Sequence, residues 1–289
     1  MRSILVIGCG DVALRAIPML TRRYRVFALA RNPSRLAQLR ALGVMPVLGD
    51  LDDRHSLTRI AGLAGAVLHL APPPNSGTHD TRTRNLLSAL SHGAAPERLI
   101  YISTSGVYGD CGGAWVSETR KLNAANPRAQ RRVDAEQQIR AWARRNRVNA
   151  GILRVPGIYA ADRLPLSRIR EGTPGIVAGE DSYTNHIHAD DLAGICVAAL
   201  QRGSACRAYH ASDDSRLKMG EYFDLVADAY GLPRVPRVSR AEAQGVLSPV
   251  LLSFMNESRR LTNGRMKREL RVKLRYPTVA DMLAAIDPS

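Results

Sequence analysis

The 289-residue chain is 45% hydrophobic, 23% charged and only 5% aromatic, which is typical of a soluble globular protein with an aliphatic core. No apolar run approaches the roughly 18 residues that a membrane helix needs, so no membrane span is expected. The formal net charge of +15 comes mostly from arginines dispersed along the chain, without a recognisable nucleic-acid-binding motif. This pattern favours an anionic small molecule over nucleic acid as the partner.

The start of the chain contains one pattern that could indicate export. Val6-Ile7-Gly8-Cys9 resembles the cleavage box of a bacterial lipoprotein, but the apolar segment before the glycine is only residues 4–7. A secretory segment needs about 7–15 apolar residues. The four cysteines have neither C-x-x-C spacing nor histidines at zinc-ligand intervals. We therefore expect a cytoplasmic protein with reduced thiols and no metal site.

Short apolar runs alternate with segments of helical spacing in the first half of the chain. Helical spacing occurs at residues 11–23 and 34–42, and the apolar runs occupy residues 3–8, 25–30, 45–50, 65–71, 98–104 and 150–159. Nearly continuous apolar strands that alternate with helices are typical of a parallel sheet covered on both faces. The pattern predicts a doubly wound α/β fold of the Rossmann type.

A glycine-rich motif follows the first predicted strand. In Gly8-Cys9-Gly10-Asp11-Val12-Ala13, the first glycine permits a tight turn and the second lets the backbone approach a pyrophosphate at the start of a helix. Gly8, Gly10, Asp11 and Val12 are therefore candidate cofactor-binding residues. The alternative is a tight turn that binds no ligand.

The residues that follow the next strands refine the cofactor prediction, because ligands bind beyond the carboxyl ends of parallel strands. Arg31 and Arg35 follow the second strand, where no acid is present, which favours NADP over NAD. Solvated surface arginines are the alternative. The remaining candidates follow later strands: Asp50 and Leu51 for the adenine side, Ala71 and Pro72 for the nicotinamide ribose, and also Ser103 and Pro156.

The alternation of strand and helix is lost from about residue 164. The remainder contains Pro- and Gly-rich loops and several helices, one of them at residues 219–230. We predict a Rossmann domain at residues 1–163 and a smaller C-terminal α+β lobe on the substrate side at residues 164–289. Part of that lobe, about residues 184–212, is expected to fold back onto the Rossmann sheet.

Seven motifs, taken in their order and spacing, resemble one known family over nearly the whole chain. They lie at residues 8–13, 49–51, 103–109, 153–160, 186–192, 209–214 and 258–261. Together they resemble the NAD-dependent epimerase/dehydratase family, the extended branch of the short-chain dehydrogenase/reductases, and its atypical members in particular. The resemblance implies NAD(P) binding and a substrate related to nucleotide sugars.

The same resemblance implies catalytic positions. The family has a Ser/Thr after the fifth strand, here Thr104, and a Tyr-x-x-x-Lys on the next helix. Counting back from Glu136, the tyrosine and lysine positions become Arg128 and Arg132. Arg128 cannot deliver a proton because a guanidinium stays charged, although Arg132 could contact a ribose or a phosphate.

Two further positions depart from the family pattern. Ser105 and Gly106 stand where sugar dehydratases carry Asp-Glu, which disfavours dehydratase chemistry. The glycine motif is GxGxxA rather than the GxxGxxG that the extended branch usually has.

Three residues could replace the missing proton donor: Tyr108, Tyr159 and His188. Each has a structural alternative, because Tyr108 could pack in its turn, Tyr159 could end a strand, and His188 could cap a helix. The histidines of the H-x-H-x-D-D run at residues 186–191 lack a third ligand nearby in sequence, so a metal is disfavoured.

The expected function is that of an NADP-dependent oxidoreductase or epimerase. Its substrate would be a small anion such as a nucleotide-linked or acidic sugar, with Thr104 contacting the substrate oxygen and Arg128 or Arg132 stabilising negative charge. A non-catalytic NADP(H)-binding sensor is the main alternative, and charge-driven nucleic-acid binding is a third. Monomer and homodimer both remain open, since the arginine-rich segment at residues 128–147 could oppose pairing through that helix.

Overall fold

The apolar runs of the sequence become the strands of a central sheet. A computed structural model describes residues 2–286. In this part of the chain the strands are β1 Arg2–Ile7, β2 Tyr24–Ala30, β3 Met45–Leu48, β4 Ala66–His69, β5 Arg98–Thr104, β6 Trp115–Val116, β7 Asn149–Val155, β8 Gly157–Tyr159, β9 Gly175–Ile176, β10 His186–His188, β11 Ala208–His210, β12 Arg237–Val238 and β13 Arg260–Leu261.

Seven of these strands form one fully parallel sheet. Their spatial order is β11-β7-β5-β4-β1-β2-β3, so the chain winds outwards from β1 in one direction and then from β4 in the other. Ile4 of β1 pairs with Val26 on one side and with Ala66 on the other. This is the doubly wound arrangement predicted from the sequence, and the carboxyl ends of all seven strands lie along one edge.

Helices cover both faces of the sheet. They are α1 Asp11–Thr21, α2 Leu36–Ala41, α3 Thr81–Leu90, α4 Pro127–Asn146, α5 Leu166–Arg170, α6 Ala189–Arg202, α7 Met219–Ala229, α8 Arg240–Val246, α9 Pro249–Met255, α10 Gly264–Glu269 and α11 Val279–Ala284. Four short 3-10 turns lie at Pro33–Arg35, Arg54–Ile60, Ser105–Tyr108 and Ala161–Arg163.

The alternation of side chains along β1 divides the core into two layers. Ile4 and Val6 pack in one buried cluster with side chains of α1 and α6, whereas Leu5 and Ile7 pack in another with side chains of α3 and α4. Successive residues of a strand point to opposite faces, and both faces are covered here. This explains why the run contains no polar residue from Ile4 onwards.

The second half of the chain contributes both to the sheet and to a separate core. Strand β11 pairs in parallel with β7 at the sheet edge, and α6 packs against α1. Helices α7 and α11 enclose a third apolar cluster with Phe223, Val226 and Met282. The apolar run at residues 150–159 is divided into β7 and β8 at Pro156, whose nitrogen has no hydrogen to donate to a sheet.

Among residues 2–286, no helix has both the length and the apolar character that crossing a membrane would require.

The first testable prediction concerns the two glycines of the loop after β1. A Cβ at Gly8, whose φ is +90°, would lie 2.5 Å from the Ala71 nitrogen, whereas a Cβ at Gly10 would meet nothing within 4 Å. We expect Gly8→Ala to lower the free energy of unfolding by at least about 1–3 kcal/mol. Gly10→Ala should cost less than about 1 kcal/mol. Thermal unfolding of the cofactor-free proteins checks this, and equal losses would contradict the close approach of the two backbones.

Candidate functional site

The loop between β1 and α1 forms the floor of a cavity at the carboxyl edge of the sheet. Gly8 passes directly against the backbone of Ala71 after β4. Gly10 precedes α1 in an extended conformation, and no side chain caps this helix. The first backbone N–H groups of an uncapped helix are unpaired and attract anionic groups.

This glycine-loop cavity has a volume of about 330 Å³. It brings together seven of the predicted cofactor residues: Gly8, Arg31, Arg35, Asp50, Leu51, Ala71 and Pro72. Four strands, β1, β2, β3 and β4, end around it, which is why residues distant in sequence meet here. The structure therefore brings these residues together at one edge of the sheet, and their binding of a cofactor stays a prediction.

Two arginines that line the cavity, Arg35 and Arg82, bind other parts of the chain. Arg35 donates from Nη2 to the Cys9 carbonyl at 3.2 Å, while its buried Nε has no acceptor within residues 2–286. Arg82, on α3, binds Asp52 through two bonds of 2.8 and 2.6 Å. Sequence analysis missed Arg82, which comes from a helix and not from a strand end.

Some predicted cofactor residues lie outside this cavity. The Asp11 carboxylate accepts from Arg15 at 2.8 Å and from Arg163 at 3.0 Å, so its side chain turns away, and Val12 continues α1. Ser103 is buried within β5 and its hydroxyl has no partner in the described chain. Ser103 does not line this cavity, and its contact with a cofactor stays a prediction.

A second and larger cavity of about 570 Å³ adjoins the first, and Pro72 lines both. We call it the arginine cleft because it is lined by Arg128, Arg131, Arg132, Arg168 and Arg259. Thr104 and Pro156 also line it. The Thr104 hydroxyl accepts from the Gly106 N–H at 3.2 Å, which leaves its own hydrogen free to donate.

The row of Arg128, Arg132 and Glu136 on α4 becomes more buried along the helix. Arg128 is exposed, and its guanidinium lies 4.0 Å from the ring centroid of Phe254. Arg132 donates to the Ile102 carbonyl at 2.8 Å and to the Tyr101 hydroxyl at 3.0 Å. Glu136 is buried against Arg154. Partial burial of its guanidinium lowers the pKa of Arg128, and the nearby Glu257 carboxylate opposes this shift.

Tyr108 does not line the arginine cleft. Its side chain is 1% exposed, and its oxygen lies 2.6 Å from His210 Nε2 and 2.6 Å from Arg154 Nη1. His210 Nδ1 donates to the Thr262 carbonyl at 2.8 Å, and burial lowers the pKa of His210 to about 3, so Nε2 carries no proton. The Tyr108 hydroxyl therefore donates to His210, and the proposal of Tyr108 as a substrate proton donor is wrong.

The other two proton-donor candidates differ in position. His188 accepts from the Asp190 N–H at 3.2 Å and so caps α6, which is its structural alternative. Tyr159 lines the cleft beside His186, and its buried hydroxyl lies close to the Asp213 carboxyl. Burial raises the pKa of Tyr159, and nearby Asp213 raises it further.

Asp213 was not selected as a site residue from the sequence, although it lies in the quoted motif at residues 209–214. Burial raises the pKa of its carboxyl to about 7, well above the ordinary value. Among residues 2–286, no cluster of three or more His, Cys, Asp or Glu side chains is arranged to hold a metal ion.

Comparison with known proteins identifies the family. A model of the NAD dependent epimerase/dehydratase family matches residues 9–212. The chain belongs to this family. The match extends from the glycine loop to β11 and thus includes all of the central sheet except β1. No curated protein shows significant similarity to the chain.

Several solved structures are similar to this protein over nearly its whole length. A functionally unknown conserved protein from Silicibacter pomeroyi has 29% identity and a TM-score of 0.82, covering 99% of this chain and 98% of its own. The dTDP-glucose 4,6-dehydratase from Streptomyces venezuelae, solved with NAD, has 20% identity and a TM-score of 0.77, covering 98% and 95%. UDP-glucuronic acid 4-epimerase from Bacillus cereus, also with NAD, has 18% identity and a TM-score of 0.75, covering 98% and 94%.

Several residues that line the arginine cleft were not predicted from the sequence. Arg131, Arg168, Phe254 and Glu257 reach the cleft from α4, from α5 and from the segment around α9. Arg259 lies in a motif quoted for the family but was given no role. The second half of the chain has no strand-helix rhythm, so its side chains could not be assigned to an edge of the sheet.

The second prediction tests the structural role of Tyr108. Tyr108→Phe removes the hydroxyl that joins Arg154 to His210 and should cost about 1–3 kcal/mol of stability. NADPH affinity should not change, because Tyr108 lines neither cavity. Denaturant unfolding and a cofactor titration measure the two effects, with Tyr230→Phe in the C-terminal lobe as the control. Lost cofactor binding at unchanged stability would contradict the assignment.

Proposed function

We propose that the protein is an NAD(P)-dependent oxidoreductase or epimerase that acts on a small anionic substrate. The observation that carries the proposal is the junction of the two cavities at Pro72, with the glycine loop in one and Thr104 among five arginines in the other. In this proposal residues 1–163 bind the cofactor and residues 164–289 provide most of the substrate side. A nucleotide-linked or acidic sugar is the starting candidate, because two structural neighbours are named for enzymes of such compounds.

The residues around the glycine-loop cavity fit a dinucleotide. The open space beside Gly10 and the uncapped start of α1 suit a pyrophosphate, and the orphaned Nε of Arg35 suits an anionic oxygen. Arg31 and Arg35 support NADP over NAD, since no carboxylate follows β2 to accept from a ribose hydroxyl. A bound nicotinamide cofactor would supply hydride transfer.

Three side chains would handle the substrate. Thr104 would donate its free hydrogen to the substrate oxygen, and Arg128 would stabilise negative charge there. Arg132 is held by β5 and would contribute positive charge beside the ribose. These two arginines stand at the positions assigned to the family's tyrosine and lysine, so the usual proton relay would be absent. Tyr159 is the remaining candidate for the proton.

A second candidate function is a sensor that binds NADP(H) without chemistry. The observation in its favour is that Arg132 donates to the backbone of β5 and to Tyr101, while Tyr108 is committed to His210. Substrate-dependent oxidation of NADPH by the purified protein would eliminate this candidate.

The third prediction tests the cofactor site. We expect fluorescence titration to give NADPH affinity at least about tenfold above that for NADH, because one charge-assisted hydrogen bond contributes about 1.5–3 kcal/mol. Arg31→Ala should remove this preference and leave NADH affinity unchanged. Arg40→Ala, an exposed arginine of α2 that does not line the cavity, is the matched control. Tighter NADH binding would contradict the NADP assignment, and binding of neither would eliminate both functions.

The fourth prediction concerns Thr104. Thr104→Val keeps the shape but removes the hydroxyl, so turnover of NADPH with an anionic carbonyl substrate should fall by about tenfold or more. NADPH affinity should stay within about twofold, since Thr104 lines only the arginine cleft. Thr104→Ser retains a hydroxyl and should retain most of the activity. Unchanged turnover in Thr104→Val would remove Thr104 from the mechanism.

A further inference from the structure

The charge of the arginine cleft is almost entirely positive. Its lining contains five arginines and a single carboxylate, Glu257. That carboxylate already accepts from Arg259 at 2.8 Å and from the Asn126 amide at 3.0 Å. The cleft therefore has a large excess of cationic donors with no acidic group left to pair with them.

Two of these arginines bind the chain through Nη1 and still carry an Nε without an acceptor in the described chain. Arg131 is 7% exposed and Arg259 is 9% exposed, and the buried Nε of each has no acceptor within residues 2–286. A buried polar group without a partner is costly unless a ligand satisfies it. Burial also lowers the pKa of Arg168, to about 10. These features favour an anionic ligand group inside the cleft.

Apolar side chains line the same cleft. Helix α9 contributes Leu251 and Phe254, and α7 contributes Met219 and Phe223. Phe254 is 47% exposed even though its ring lies against the Arg128 guanidinium. An exposed aromatic side chain beside a cation offers a flat surface on which a ligand with an apolar body would bury area.

Three polar side chains of the cleft bind other parts of the chain. Asn126 accepts from the Ala129 N–H and donates to Glu257. Asn185 donates to the Arg259 carbonyl and accepts from the Leu261 N–H. Ser182 donates to the Met255 carbonyl. These three side chains thus hold the cleft together, and Asn75, Ser105, Tyr183 and Thr184 are further polar residues of the same lining.

We propose that the substrate of the arginine cleft is a compact anion with a flat apolar body, such as an aromatic carboxylate, sulfonate or phosphate. The anionic head would bind at Arg128, and the body would cover Phe254 and Leu251. The inference deepens the proposed function and rests on it only in taking the arginine cleft as the substrate site.

The experiment uses two fluorescent probes that differ in charge and share an aromatic body. These are 8-anilinonaphthalene-1-sulfonate and the neutral N-phenyl-1-naphthylamine, each titrated into the full-length protein. We expect the sulfonate to bind about tenfold more tightly. Arg128→Gln should abolish this difference by weakening only the sulfonate, and Phe254→Ala should weaken both probes about fivefold or more.

Matched controls separate the cleft from the rest of the surface. Arg144→Gln changes an exposed arginine of the same helix α4, and Val250→Ala changes an exposed apolar residue of α9, and neither lines the cleft. Both should leave probe affinity unchanged. Because Phe254→Ala could disturb α9, Phe254→Leu is a second variant, and thermal unfolding reports on the fold of each. Equal losses in the controls and the cleft variants would overturn the proposal.

Titrations of the same samples with uridine diphosphate glucose and with NADPH distinguish failure of this proposal from failure of the proposed function. Uridine diphosphate glucose that binds more tightly than the sulfonate and displaces it would assign the cleft to nucleotide sugars and overturn the proposal. NADPH binding without sulfonate binding would overturn it as well, while leaving the proposed function intact. Sulfonate binding at the cleft without NADPH binding would support the substrate class and eliminate the proposed function.

Discussion

The buried ion pair between Arg154 of β7 and Glu136 of α4 holds helix α4, and with it one wall of the arginine cleft, against the sheet. Arg154 is 4% exposed and binds both carboxylate oxygens of Glu136, at 3.0 and 2.7 Å. Its remaining Nη1 donates to Tyr108 and to the Glu118 carbonyl. A buried pair is stable when its lone pairs and protons are satisfied in this way, and loss of one partner typically costs about 3–5 kcal/mol.

This pair also determines where the arginines of α4 point. Residues four apart on a helix share one face, so fixing Glu136 against β7 directs Arg132 towards β5 and Arg128 towards the mouth of the cleft. The cap at Asn126 and the proline at position 127 begin the helix just before Arg128. Within three turns, helix α4 therefore carries a buried anion, Glu136, and an exposed cation, Arg128. The position of the positive charge in the cleft thus depends on how α4 packs against the sheet.

The sheet edge could be predicted from the sequence, whereas most of the cleft could not. Gly8, Arg31, Asp50 and Ala71 follow buried apolar runs, and parallel topology brings such positions to one edge. Phe254 has no comparable signal, since it lies on a seven-residue helix whose position depends on tertiary packing. Tyr108 shows the opposite case. Its motif is typical of the site, but Arg154 and His210 draw its hydroxyl into the core.

The proline segment after β4 connects the two cavities and constrains the chemistry of both. Pro72 lines each cavity, and Pro73 and Pro74 continue along the cleft. Prolines have no N–H to donate and hold their backbone in a narrow range, so this wall is stiff and offers no donors to an anion. Donors to an anion therefore come from other residues, among them the glycine loop and Arg35 in one cavity and Thr104 and the arginines in the other. In the proposed function, this division would give the phosphates of a dinucleotide and the anionic head of a substrate separate binding surfaces.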